Sequence, residues 1–330
     1  MALSLFSGRS KVVNIVVNDH SIRYVELKQR NPATPLHYGQ RYLPPGIILD
    51  GKIQDFDTLE NILDECLDDW KISRREIRFT VPDSLVIIRK VSIPVDVKED
   101  EIHGYLYLEL GTSIHLPFED PVFDIIPLGI EDQKQQILVF AAPEQYVTEY
   151  ADLFKAIKLK PIAADISPLA IYRLYYQQAL KSENEILLTV QFDLDVVSMC
   201  VFEEHIPVFM RHIPGDLKEN WKVKSGRGRF SDQELVYEGE VTELTFQLED
   251  IYRDIAKLMD FYHYSLTQGK SEVTRILLNG DHPMLDRILN DMKERFGIQV
   301  DTLRVPLIGE STEELPKAFH LALGLGLKEV

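Results

Sequence analysis

RILLNGDHPMLDRILNDMKERFGIQV, residues 275–300, is the stretch that decides the fold. An apolar strand over residues 276–278 runs into Asn279-Gly280-Asp281, a helix follows, and a second strand begins at Ile298. Met284, Leu285, Ile288, Leu289, Met292 and Phe296 recur at helical spacing and give that helix one apolar face. Pro283 suits its first turn, and Gly297 suits the left-handed position that ends it. A glycine in a strand-to-helix turn lets backbone approach a ligand closely, and open α/β sheets hold ligands at the carboxyl ends of their strands. The unit predicts an α/β protein, with any ligand lying near Gly280.

Working outward, the same kind of unit occurs twice. Residues 12–17 are a β-branched run, Asn18-Asp19-His20 is a turn, and residues 22–27 resume as a strand, so a hairpin is expected. After a loop at Pro44-Pro45-Gly46 come an amphipathic helix over 56–70 and strands over 77–81 and 85–93. A compact β-α-β-β-α stretch follows, with a helix from Asp96 to Leu110, an apolar loop at Leu116-Pro117-Phe118, strands at 122–128 and 136–141, and a helix at 144–158. Residues 161–166 are read as opening a second half. It continues with a helix over 169–180, antiparallel strands over 186–192, 196–202 and 207–213, a polar irregular stretch over 214–245 and a long helix over 248–266. A last helix is expected over 316–327. The order of elements predicts a duplicated two-lobed α/β protein with a cleft between the lobes.

The chain has 330 residues, 45% hydrophobic and 27% charged, which is ample for a sizeable core. A net charge of −17 argues against a nucleic-acid partner, because phosphate would be repelled. The two cysteines, Cys66 and Cys200, sit in apolar runs and read as buried thiols of a reducing compartment. Residues 1–11 lack a signal-peptide pattern, and no run of 18 apolar residues suggests a membrane-spanning helix. The histidines show no HxxxH or HExxH spacing, so no metal is assigned. Ser21 and Ser198 lack a nucleophile elbow, so no catalytic residue is assigned. Lys222, Lys224, Arg227 and Arg229 lie in the polar stretch, and the Gly226–Phe230 loop reads as a solvated basic loop.

Several motifs carry a resemblance. Ile22-Arg23-Tyr24-Val25-Glu26-Leu27 follows the first hairpin turn. Ile93-Pro94, Glu99-Asp100-Glu101-Ile102, Glu109, Leu116-Pro117-Phe118 and Asp124 are spread over the inserted stretch. Leu258-Met259-Asp260-Phe261-Tyr262, Ile276 to Asp281, and Ala322-Leu323-Gly324-Leu325 follow in order. Together they resemble the type IV pilus assembly protein PilM family, a branch of the actin-like ATPase fold related to the cell-division protein FtsA. The resemblance implies a two-lobed actin-like (duplicated ribonuclease H-like) fold with an inserted small α+β module. The lobes are expected at 1–93, closed by the helix at 316–330, and at 161–315, with the module at 94–160.

The resemblance also implies an ATP–Mg²⁺ cleft formed by Asn18, Asp19, Ser21, Arg23, Gln191, Asp193, Asp254, Lys257, Gly280 and Asp281. In this fold each hairpin carries an acid two places before a glycine. The glycine lets backbone N–H groups wrap a phosphate and the acid orients Mg²⁺ or water. Here the matching pairs are Val16 with Asn18 and Gln191 with Asp193. Valine cannot hold Mg²⁺, Gln191 is neutral, and Asp193 points a charge at the phosphates, where like charges ~4 Å apart repel by about 1 kcal/mol even in water. Asp195 is a further acid near the second turn should the register differ by a residue. Asp254 and Lys257 keep the charges of the family's helix, while Asp281 replaces the second glycine of its adenosine turn. The expectation is a degenerate nucleotide site with no cofactor, ATP–Mg²⁺ being the alternative.

The function implied is a cytoplasmic scaffold of a type IV pilus, competence or secretion platform. It would bind the N-terminal cytoplasmic tail of a single-pass inner-membrane PilN-like protein in a groove that Leu116, Pro117 and Phe118 help to line, and the pilus ATPase would be a second partner. The partner would hold it at the inner face of the plasma membrane. The alternatives are an actin-fold ATPase of the same machinery and an FtsA-like filament former.

Overall fold

A computed structural model of the chain describes residues 12–112, 114–178, 184–194, 196–214, 220–225, 233–307 and 313–329. Asp195, Arg227 and Arg229 lie outside the described residues.

Strands β1 (Val13–Asn18), β2 (Ser21–Arg30) and β3 (Ala33–Tyr42) come first, then the short β4 (Ile48–Leu49) and β5 (Lys52–Ile53). Helix α1 (Phe56–Trp70) and strand β6 (Glu76–Thr80) follow. The inserted elements are β7 (Ile87–Pro94), α2 (Ile102–Glu109), β8 (Pro121–Glu131) and β9 (Lys134–Pro143), leading to α3 (Glu144–Ala156) and β10 (Lys160–Asp165). The second half holds α4 (Ser167–Gln177), β11 (Ile186–Phe192), β12 (Val196–Glu203), β13 (Ile206–Pro214), β14 (Trp221–Ser225), β15 (Gln233–Tyr237) and α5 (Val241–Asp260), which continues into a π-type turn (Phe261–Leu266). Strand β16 (Arg275–Asn279), helix α6 (Leu285–Phe296), strand β17 (Gln299–Thr302) and helix α7 (His320–Leu325) complete the described chain.

Two five-stranded sheets share one topology. The first runs β3-β2-β1-β6-β10 and the second β13-β12-β11-β16-β17. In each, three strands form an antiparallel meander and two more add in parallel on the far side of the first. The expected duplication is therefore present. Strand β10 pairs with β6, so residues read as opening the second half supply instead the fifth strand of the first sheet. A parallel strand needs a crossover, and α3 provides it.

Each sheet is covered on both faces, which explains why its central strands are apolar almost throughout rather than alternating. On β1, Val13, Ile15 and Val17 face the first core with Leu59, Leu63 and Leu67 of α1 and Leu153 and Phe154 of α3. Val16 points the other way, towards α4 and α7. On β11, Leu188, Val190 and Phe192 face a second core with α5 and α6, while Leu187 joins Val16 in the shared layer. Helices α4 and α7 are thus packed between the two sheets, in contact with both.

The helix of the opening stretch forms as its periodicity predicts. Leu285, Ile288 and Met292 are buried, and Gly297 ends the helix at φ +64°. Pro283 lies just before the first turn rather than in it. The inserted sheet, order β7-β9-β8, has its own core of Ile93, Ile102, Leu106, Ile137 and Val139. Helix α3 packs instead on the first core. The polar stretch expected over 214–245 contains the ribbon β14–β15, whose Trp221 and Tyr237 rings pack at a tilt with centroids 5.2 Å apart, and α5 begins earlier than its apolar run suggests. Alternation of two or three apolar residues with lysines is too weak a pattern to mark such strands.

Candidate functional site

Three turns converge between the sheets. The β1–β2 turn brings Asn18, Asp19 and His20, and the β11–β12 turn brings Asp193 and Leu194. The turn after β16 brings Gly280 and Asp281. Gly280 has φ +143°, and a Cβ there would lie 2.1 Å from the Phe192 carbonyl oxygen. Only glycine lets the β16 turn lie this close against β11. The His282 N–H then donates to that same carbonyl at 3.2 Å.

Asp281 sits at the centre. Its Oδ2 accepts from Arg23 at 2.5 Å and from Asn18 at 3.3 Å, and His20 Nε2 lies 3.0 Å away. Its Oδ1 accepts the Leu194 backbone N–H at 3.1 Å. Arg23 is itself buried on β2 and is steadied by donating from Nε to Gln40 on β3 at 2.6 Å. Burial pulls the Asp281 carboxyl towards its neutral form. The Arg23 guanidinium, with His20 behind it, outweighs this and holds the group well below the usual carboxylate range. Asp193 shows the opposite balance. Its burial, and then the Asp281 charge beside it, push its carboxyl well up, and it accepts the Asp281 N–H at 3.0 Å and Gln191 Nε2 at 2.7 Å.

A polar chain continues inward. Asn279 donates to Gln191 Oε1 at 2.9 Å, and His320 Nδ1 of α7 lies 3.0 Å from Asn279 Oδ1. Eight of the residues expected in the cleft are brought to this region: Asn18, Asp19, Ser21, Arg23, Gln191, Asp193, Gly280 and Asp281. Asp19 does not join the cluster; it accepts the backbone N–H groups of Asp50 and Gly51 at 2.7 and 2.9 Å. Ser21 is buried on β2 opposite Tyr42. Asp254 and Lys257 ion-pair with each other at 2.7 Å on the more open side of α5, outside the cluster.

Beside the cluster lies a cavity of about 320 Å³ bordered by Asn18, Asp19, Thr80, Asp83, Asp193 and His212. Asp83 is the residue that sequence reasoning missed. It is buried just after β6, accepts the Ser167 N–H at 3.3 Å and the Ser167 hydroxyl, and so caps the start of α4 from across the chain. Burial pushes its carboxyl up. His20 and Asn279 were also missed as site residues. All three earn their place through contacts distant in sequence, and nothing local marks them. Among the described residues no cluster of His, Cys, Asp and Glu is arranged to hold a metal ion.

Leu116 and Phe118 are half-buried against the core of the inserted module, and Pro117 is exposed. Strand β8 forms one edge of that sheet, and Val122 and Ile126 on it are exposed, as are Tyr107 and Leu108 of α2.

Two sheets of one topology, a helical layer shared between them and a cleft where their hairpins meet define a two-lobed actin-like fold. A solved structure agrees. The structure described as the PilM–PilN type IV pilus biogenesis complex superposes with a TM-score of 0.77 at 18% identity, covering 97% of this chain and 100% of that one. A Bacteroides thetaiotaomicron protein with an actin-like ATPase fold gives 0.45 at 11% identity, covering 99% and 100%. The cytoplasmic domain of EpsL, from the type II secretion system of Vibrio cholerae, gives 0.47 at 10% identity, covering 96% and 93%. No curated protein sequence matches the chain. The family described as type IV pilus assembly protein PilM matches residues 15–215, and the chain belongs to that family.

Proposed function

We propose that the chain is a scaffold of a type IV pilus, competence or related secretion platform that binds the N-terminal cytoplasmic tail of a single-pass inner-membrane PilN-like protein and does not turn over ATP. Family membership is the observation that carries the first part. The related protein of the matched structure is in a complex with PilN, which supports a partner of that kind here. No helix among the described residues is long and apolar enough to cross a membrane, so in this reading the partner supplies the anchor at the inner face of the plasma membrane.

The inserted module supports tail binding. Strand β8 lies at an edge of the inserted sheet, where an extended peptide would add as a further strand, and exposed apolar side chains on β8 and α2 would set its register. Leu116, Pro117 and Phe118 belong to the same module and would line one side of the groove.

The chemistry of the cleft supports a loss of turnover. At the position of the first acid, Val16 is packed in an apolar cluster with Leu323 and Leu325 and offers Mg²⁺ no ligand. At the second, Gln191 is tied to Asp193 and Asn279. Asp19, Asp50, Asp83 and Asp193 border the cavity together with one lysine, Lys52, whose ammonium lies over the Tyr146 ring, 5.1 Å from its centre, so the lining offers a triphosphate more carboxyl groups than cations. The expected result is co-purification with a single-pass membrane protein, abolished when that protein's first residues are removed. Capture of no such protein sinks the scaffold reading. Tight Mg-ATP binding with release of phosphate would restore the ATPase reading.

A further inference from the structure

The Asp281 carboxylate divides its two oxygens between the two lobes. Oδ2 takes only groups of the first sheet: the Arg23 guanidinium at 2.5 Å, His20 Nε2 at 3.0 Å and Asn18 Nδ2 at 3.3 Å. Oδ1 takes the Leu194 backbone N–H of the second sheet's hairpin at 3.1 Å. A buried guanidinium, a side-chain amide and a hairpin N–H converging on one point are what a phosphate oxygen would require in a cleft of this shape. Here the point is filled from within the chain, and the Asp281 side chain is 1% exposed.

We propose that Asp281 is a built-in anion: it occupies the phosphate position between the two hairpins and fastens the lobes together, so that the cleft is held closed without a nucleotide. A simple ion pair within one lobe would need Arg23 and one oxygen. It would explain neither the second oxygen's bond to Leu194 nor the convergence of three first-sheet groups on the other. The proposal depends on the cleft being a nucleotide cleft that has lost its task, as argued above. It adds what has taken the nucleotide's place.

Removing the carboxylate vacates the cradle and leaves its donors standing. Asp281→Gly is expected to melt at a lower temperature than the unaltered protein and to be rescued by inorganic pyrophosphate, which it binds at least tenfold more tightly. The unaltered protein should show no shift with pyrophosphate. The double variant Arg23→Gln, Asp281→Gly should lose the rescue, because the cradle's cation is gone. A folded Asp281→Gly that ignores pyrophosphate overturns the proposal, and so does an unaltered protein that binds it equally well. Should Asp281→Gly fail to fold, Asp281→Asn keeps the shape and removes the charge. Amide exchange at residues 18–23 and 194 should then quicken at least tenfold while that of β16 stays unchanged, and exchange unaltered at the hairpins overturns the clamp. Partner capture is read separately on the unaltered protein, so a failed pull-down leaves the pyrophosphate result interpretable and the reverse holds too.

Discussion

At Gly280 the positive φ and the crowding against Phe192 act together. Gly280→Ala is expected to cost about 3 kcal/mol or more, since the added methyl must displace backbone rather than a side chain; a urea denaturation midpoint lowered by less than a tenth would contradict this. Two buried histidines contribute to the behaviour in acid. Burial pushes His282 and His320 down to about 4, whereas an unfolded chain takes up a proton near 6.5. Between those values the unfolded state binds more protons, so stability is intact above pH 6.5 and falls as pH drops towards 4, by about 3 kcal/mol for each ring. An NMR titration should find both rings still neutral at pH 5. Gly280 was legible because strand, turn and helix are adjacent in the sequence. The bond from Arg23 to Asp281 was not, because 258 positions separate them and no local pattern ties a hairpin arginine to an aspartate after β16.

Among the elements, α7 is short but lies between both sheets. Gly324 on it faces α4 so closely that a Cβ would lie 2.2 Å from the Ala170 carbonyl oxygen. Helix propensity alone favours alanine there by about 1 kcal/mol. The clash is expected to win, so Gly324→Ala should lower the melting temperature. An unchanged or raised value would show that α4 and α7 separate easily. The long, strongly periodic elements α1, α5 and α6 were readable because a single buried face repeats over several turns. Strand β3 escaped notice because Pro35 and Gly39 interrupt it, and it forms only because β2 offers a partner edge. Strand β10 was recognised as a strand, but its sheet was misjudged. Pairing partners follow from topology, and a run of apolar residues carries no record of which edge it will join.

For the molecule as a whole, the shared layer matters more than either lobe. Val16, Val25 and Leu27 of the first sheet, Leu187 and Leu277 of the second, and Leu321, Leu323 and Leu325 of α7 belong to one apolar cluster. Two lobes joined by a common core are expected to melt as one cooperative unit. Calorimetry should show a single transition whose calorimetric and van't Hoff enthalpies agree; two resolved transitions would mean that the helical layer does not couple the lobes. The duplicated architecture was legible from the order of elements. The Asp281 contacts across the cleft were not, because they depend on how two sheets face each other.

The placement of α7 also bears on how the molecule is made. Strands β1 and β2 leave the ribosome long before the α7 leucines that cover their inward face. Until then Val16, Val25 and Leu27 lack the α7 part of their cover on that side, and the nascent chain carries an apolar strip partly open to water. The first lobe therefore cannot finish before α7 has emerged, however early its own residues do. A chain halted after residue 315 would be expected to call on a holding chaperone, and maturation would wait on a short segment made long after the strands it covers.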